Sequence, residues 1–118
     1  MMSRFVGLPL VVLALFYATS PLLGGAVPAA LNASEFKWTP KEVTVAAGEV
    51  TFAVTNKGTI EHNFVVEDAK GKALKQFDGI QPGKTVQVKV ALKAGKYTIA
   101  CTVPGHREAG MVGTLIVK

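Results

Sequence analysis

Beyond about residue 34 the chain alternates apolar and polar residues with a period of two, in short runs cut by turn signals. Val43 and Val45 flank Thr44 before Ala47-Gly48. Val50, Phe52 and Val54 alternate with Thr51, Ala53 and Thr55 before Asn56-Lys57-Gly58. Val86, Val88 and Val90 follow Pro82-Gly83, and Tyr97, Ile99 and Cys101 follow Ala94-Gly95. His62 to Glu67 and Thr114 to Val117 add two more runs. A period of two places residues of one parity on one face of a strand, whereas a helix needs a period near 3.6. Several short strands bounded by turns predict an all-β sandwich or barrel. Residues 68–80 carry no legible period, and a loop or a short irregular strand both fit there. Trp38 is expected to pack into the core near the first strand.

The N-terminal part follows different rules. No charged residue occurs from Phe5 to Leu31. Arg4 precedes an apolar run to Ala18, and small residues follow in Gly24-Gly25-Ala26-Val27-Pro28-Ala29-Ala30. This is the layout of a secretory signal, with cleavage after Ala29, Ala30 or Ala33 satisfying the small-residue rule. The expected division is a signal peptide over residues 1–33 and one folded domain over 34–118. An uncleaved membrane anchor is the alternative, since the stretch is long enough to cross a bilayer if Pro21 and Gly24-Gly25 are tolerated. Either way the folded part is exported, to a periplasmic or other extracytoplasmic compartment.

A chain of 118 residues supports one domain of this kind. Its formal net charge of +5 falls by one when Arg4 leaves with the signal. The lysines are scattered, without a basic run or an interleaved aromatic stripe, so the charge suits acidic partners or anionic surfaces and predicts no nucleic-acid binding.

The chain has one cysteine, Cys101. Small exported domains usually use cysteines in disulfides, which a single cysteine cannot form internally. Cys101 is therefore a buried thiol, an intermolecular partner or a metal ligand. It shares parity with Tyr97 and Ile99, so it starts on the inward face, at the end of its strand. After it the chain reads Cys101-Thr-Val-Pro-Gly-His106-Arg-Glu-Ala-Gly-Met111. A loop of that length folds back between two strands and lets Cys101, His106 and Met111 converge. His62, the only other histidine, opens an upstream strand. One thiolate, two imidazoles and one thioether suit a single copper ion in both oxidation states. Zinc accepts two histidines and a cysteine as well, but gains little from a thioether.

The segment from Cys101 to Val117, with Glu61-His62-Asn63-Phe64 upstream, resembles the plastocyanin/azurin family of cupredoxins, over roughly Glu35 to Lys118. The resemblance implies a Greek-key β-sandwich with one type 1 copper, and one-electron transfer between larger redox proteins. It implies His62, Cys101 and His106 as equatorial ligands and Met111 as the axial one. It also implies that Asn63 hydrogen-bonds near the cysteine sulfur and ties the two ligand loops together. Glu61 departs from the family pattern, since azurins carry Gly before the first ligand, which speaks against an azurin-like extra carbonyl contact. Pro104 withholds an N–H donor close to the sulfur.

Four protein ligands leave no open position for a substrate, so a non-enzymatic one-electron carrier is expected. His106, in the surface loop, is the expected electron port, ringed by Pro104, Gly105, Ala109, Gly110 and Met111. Redox partners should meet this monomer there through small, transient contacts. Two other readings use the same ligands: a copper carrier or storage protein without redox turnover, and an electron-donating accessory of a larger respiratory or nitrogen-oxide-reducing assembly.

Overall fold

The computed structural model describes residues 27–118, together with Ser3 and Gly7. The apolar segment read as a signal or anchor lies outside the described residues. Among the described residues every regular element is a strand: β1 Ala29–Ser34, β2 Lys37–Thr39, β3 Glu42–Val45, β4 Gly48–Asn56, β5 His62–Glu67, β6 Ala73–Ile80, β7 Thr85–Leu92, β8 Gly95–Ala100 and β9 Val112–Val117. They form a four-stranded sheet in the order β2-β1-β4-β7 and a five-stranded sheet in the order β3-β9-β8-β5-β6. Two parallel pairings, β1 with β4 and β3 with β9, break the otherwise antiparallel order. The result is the expected Greek-key β-sandwich.

The period of two closes the sandwich. Along β4, Val50, Phe52, Val54 and Asn56 are buried while the residues between them are half-buried. Val88 and Leu92 of β7, Ile99 of β8, and Leu115 and Val117 of β9 meet them from the other strands. Phe64 sits at the centre, 5.1 Å from the Phe52 ring and 5.8 Å, edge-on, from Trp38. Trp38 is thus the core residue it was expected to be. All six residues of β5 are buried, so β5 is the strand most enclosed by protein on both faces.

Of the loop and the short irregular strand that both fitted residues 68–80, the structure shows the strand. Residues 73–80 form strand β6, paired with β5 through two register shifts. It is an edge strand, mostly exposed, with only Phe77 and Ile80 turned toward protein, and this is why no alternation shows in its sequence. At the N-terminal end the first described strand begins at Ala29, upstream of the Ser34 boundary expected from the sequence. Residues Ala29–Ser34 are β1, aligned in parallel with Phe52–Asn56 of β4, and Leu31 and Ala33 lie in the core. Alanine and asparagine are poor strand formers, so the tertiary pairing, and not local propensity, makes this strand. The same small residues also satisfy the small-residue rule for cleavage.

Cleavage after Ala33 would remove most of β1, so a mature N-terminus at or before Ala30 is expected for the exported protein, read by intact mass. A chain begun at Ser34 should unfold at clearly lower denaturant than one begun at Val27. Loss of the Leu31 side chain alone costs about 2–5 kcal/mol.

Candidate metal centre

Two loops at one end of the sandwich bring the chemistry together. The first connects β4 to β5 and delivers His62. Its geometry is set by Asn56, which is fully buried at the end of β4. The Asn56 side-chain amide donates to the carbonyls of Ile60 and Ile80, both at 2.8 Å, and its oxygen accepts the Gly58 N–H at 2.8 Å. Glu35, just after β1, accepts the N–H groups of Thr59 at 2.7 Å and Ile60 at 3.0 Å. The loop is thereby fixed from both sides before the chain enters β5.

The second loop runs from Cys101, one residue past β8, to Met111, one residue before β9. It is closed at its base by the Cys101 N–H donating to the Met111 carbonyl, 3.1 Å. Inside, the His106 N–H donates to Val103, and the Met111 N–H returns to the His106 carbonyl at 3.1 Å. Gly105 and Gly110 have φ of 85° and 113°, a region that residues with a Cβ avoid, and they let the loop turn this tightly. Arg107 makes a two-pronged ion pair with Glu67 of β5, at 2.7 and 2.9 Å, which moors the loop to the sheet.

Three of the four expected donors meet. Nδ1 of His62 lies 3.1 Å from Nδ1 of His106, and Cys101 Sγ is 3.4 Å from the latter and 3.8 Å from the former. All three residues are buried, His62 completely and His106 with 6% of its surface exposed. Donors about 2.0–2.3 Å from a common ion, at angles of roughly 100–125°, stand about 3.1–3.8 Å apart. The observed spacings fit one ion of that size. A soft thiolate beside two imidazoles suits copper. Met111 is fully buried, and its backbone is bonded to both Cys101 and His106.

The surroundings favour a neutral, metal-binding imidazole at His62. Burial pushes the His62 pKa down, and the neighbouring His106 pushes in the same direction, against the opposing pull of Glu35. A proton therefore competes weakly for the ring that must offer a lone pair. Asn63 performs the tie expected from the resemblance. Its backbone N–H points at Cys101 Sγ, 3.5 Å away, and its side chain exchanges two hydrogen bonds with Thr102, at 2.7 and 2.8 Å. Its amide also donates to Asp78 of β6, 3.1 Å away. Glu61 turns outward and accepts from the Gln81 side chain at 3.1 Å.

Three contributors escaped the sequence reading. Asn56 was visible only as part of a turn signal. Glu35 and Phe36 occupy the two-residue connection between β1 and β2, where nothing in the sequence advertises a role. The Phe36 ring meets the His106 imidazole edge-on at 4.9 Å, and Glu35 Oε1 lies 3.4 Å from His62 Nε2.

Comparison with known proteins agrees with this geometry. A family model for copper binding proteins of the plastocyanin/azurin family matches residues 26–118. The copper-resistant cuproprotein CopI of Rubrivivax gelatinosus is 34% identical over 99 residues, covering 70% of this chain and 60% of the relative. That of Vibrio cholerae is 33% identical over 92 residues, covering 64% of this chain and 54% of the relative. The chain thus spans little more than half the length of these relatives. Among solved structures, reduced auracyanin from Roseiflexus castenholzii superposes with a TM-score of 0.70 at 20% identity, covering 79% of this chain and 98% of that one. Oxidized plastocyanin from Dryopteris crassirhizoma gives 0.52 at 28% identity, covering 76% and 100%. With its sandwich, its His/Cys/His cluster and this match over nearly all the described residues, the chain belongs to the plastocyanin/azurin family of copper-binding proteins.

Proposed function

We propose that this protein is an exported one-electron carrier that holds a single type 1 copper through Nδ1 of His62, Sγ of Cys101 and Nδ1 of His106, with Met111 as the axial ligand. The observation that carries the reading is the convergence of two imidazole nitrogens and one thiol within 3.8 Å of one another. The copper would supply the Cu(I)/Cu(II) couple, and the protein's part is to keep the donors in place through both states. Asn63 and Thr102 lock the two loops, and Cys101 and Met111 are joined through the backbone, so little can move when the charge changes. Thiolate and thioether serve Cu(I), and the imidazoles serve both states. No enzymatic step is assigned to the site.

His106 is the proposed port. It is the one of the three with measurable exposure, and the exposed Gly105, Ala109 and Gly110 surround it. Redox partners would dock there over a small area, below about 1,200 Å² in total. The molecule acts as a monomer, and it stays at a membrane only if its N-terminal segment is retained.

A second reading is favoured by the names of its relatives, which are copper-resistant cuproproteins. On that reading the same ligands carry or store copper without redox turnover.

Three expected outcomes test these assignments. The copper-loaded protein should show strong thiolate-to-copper colour with one ion per chain, and Cys101→Ser should abolish it; a blue Cys101→Ser variant would remove the central assignment. Met111→Leu should keep the colour and raise the reduction potential, because a weak donor to Cu(II) is lost, whereas Met111→Gln should lower it. Potentials unchanged in both would place Met111 away from the metal. Ala109→Glu separates carrier from electron shuttle, since a charge on the docking surface should slow electron self-exchange while colour and copper affinity stay nearly intact. Ready loss of copper to a competing chelator, with an exchange rate indifferent to Ala109, would favour copper delivery.

A further inference from the structure

His62 presents Nδ1 to the site, so in the ligating form the ring's proton must reside on Nε2. That nitrogen is completely buried and makes no hydrogen bond of good geometry within the protein. The group standing over it is the Glu35 carboxylate, with Oε1 3.4 Å away. Two features show that this carboxylate is held there. The N–H groups of Thr59 and Ile60 both donate to the same Oε1. Finally, a Cβ at Gly58 would overlap the Glu35 carboxyl group, so the absence of a side chain at position 58 leaves the space that the carboxylate fills.

Accepting the ligand set proposed above, we infer that Glu35 is a positioning residue for the copper centre: its carboxylate takes the Nε2–H of His62, fixes the ring with Nδ1 toward the metal, and biases the site toward Cu(II). A carboxylate behind a ligating imidazole makes the ring a stronger donor and orients it. It also places a negative charge one ring away from the ion, which favours the more highly charged oxidation state. The same residue braces the loop that delivers His62, so ring orientation and loop geometry are set by one side chain.

Two substitutions separate this role from simple loop bracing. Glu35→Gln keeps an oxygen for Thr59 and Ile60 but removes the charge. Gly58→Ala keeps the charge but displaces it. Both proteins should fold and remain blue. Cu(II) affinity should fall roughly tenfold relative to Cu(I) in Glu35→Gln, at the low end of the 10–100-fold cost of losing such a partner. For a one-electron couple that is an upward shift in potential of about 59 mV. Gly58→Ala should move the potential in the same direction. In the Cu(I) protein, the His62 Nε2 proton should give a slowly exchanging, downfield NMR resonance that shifts upfield in both variants. Blue variants whose potential and Nε2 proton resonance match those of the unaltered protein, even if they melt earlier, would overturn the inference and leave Glu35 as a loop brace. Failure of the copper reading itself would show differently, as a colourless copper-loaded protein before any substitution at position 35 or 58.

Discussion

The pair of hydrogen bonds between the Asn63 side chain and Thr102 is the contact on which the metal centre depends. His62 and Cys101 belong to neighbouring strands, β5 and β8, but lie where the two strands give way to separate loops. Strand pairing between β5 and β8 ends at Val65 and Ala100, short of both ligands. Beyond that point, the ladder no longer holds the two chains in register, and Asn63 takes over as a side-chain continuation of the sheet. It fixes the spacing of the first histidine from the cysteine and aims its own N–H at the sulfur. Asp78 on β6 anchors the same amide from the far side, and its carboxyl is held below its ordinary pKa by the amides of Gln76 and Asn63. The site is thus bound to β5, β6 and the end of β8 by side-chain bonds that add to the pairing of His62 with Ile80.

The cluster of His62, Cys101 and His106 was legible in the sequence because its chemistry is rare. One cysteine and two histidines leave few combinations, and the spacing from Cys101 through His106 to Met111 reports a loop that returns to its starting point. The strands with strict alternation, β4 and β7, were legible for the same reason, since one buried face writes itself into every second residue. β1 and β6 were not. β1 consists of small residues whose burial is decided by β2 and β4 on either side, and β6 lies at an edge where most positions face solvent. What surrounds the ligands was equally silent. Glu35 is an ordinary exposed-type residue by composition, and only the three-dimensional approach of the β1–β2 connection to the β4–β5 loop reveals its position.

That connection links the two unread features. The strand that looks like the tail of a targeting segment delivers Glu35 to one histidine and Phe36 to the other. Trimming the N-terminus a few residues too far would therefore disturb the outer surroundings of both imidazoles, although no ligand would be touched. Core packing and the surroundings of both histidines are coupled through a single short strand.

The course of β1 also has a directional consequence. It runs parallel to β4, and β4 ends at Asn56, beside the loop that carries His62. The chain therefore enters at the opposite pole, where Val27 and Ala29 line a cleft with Val45, Ala46 and Ala47. The C-terminus is at the same pole, with the Lys118 carbonyl accepting the Ala47 N–H at 2.9 Å. Any tether, fusion or immobilising tag joined at either end pulls from the base of the sandwich and leaves the His106 face turned outward. Attached to a bilayer or an electrode by its N-terminus, the molecule would hold the loops that carry His62, Cys101 and His106 away from the attachment surface.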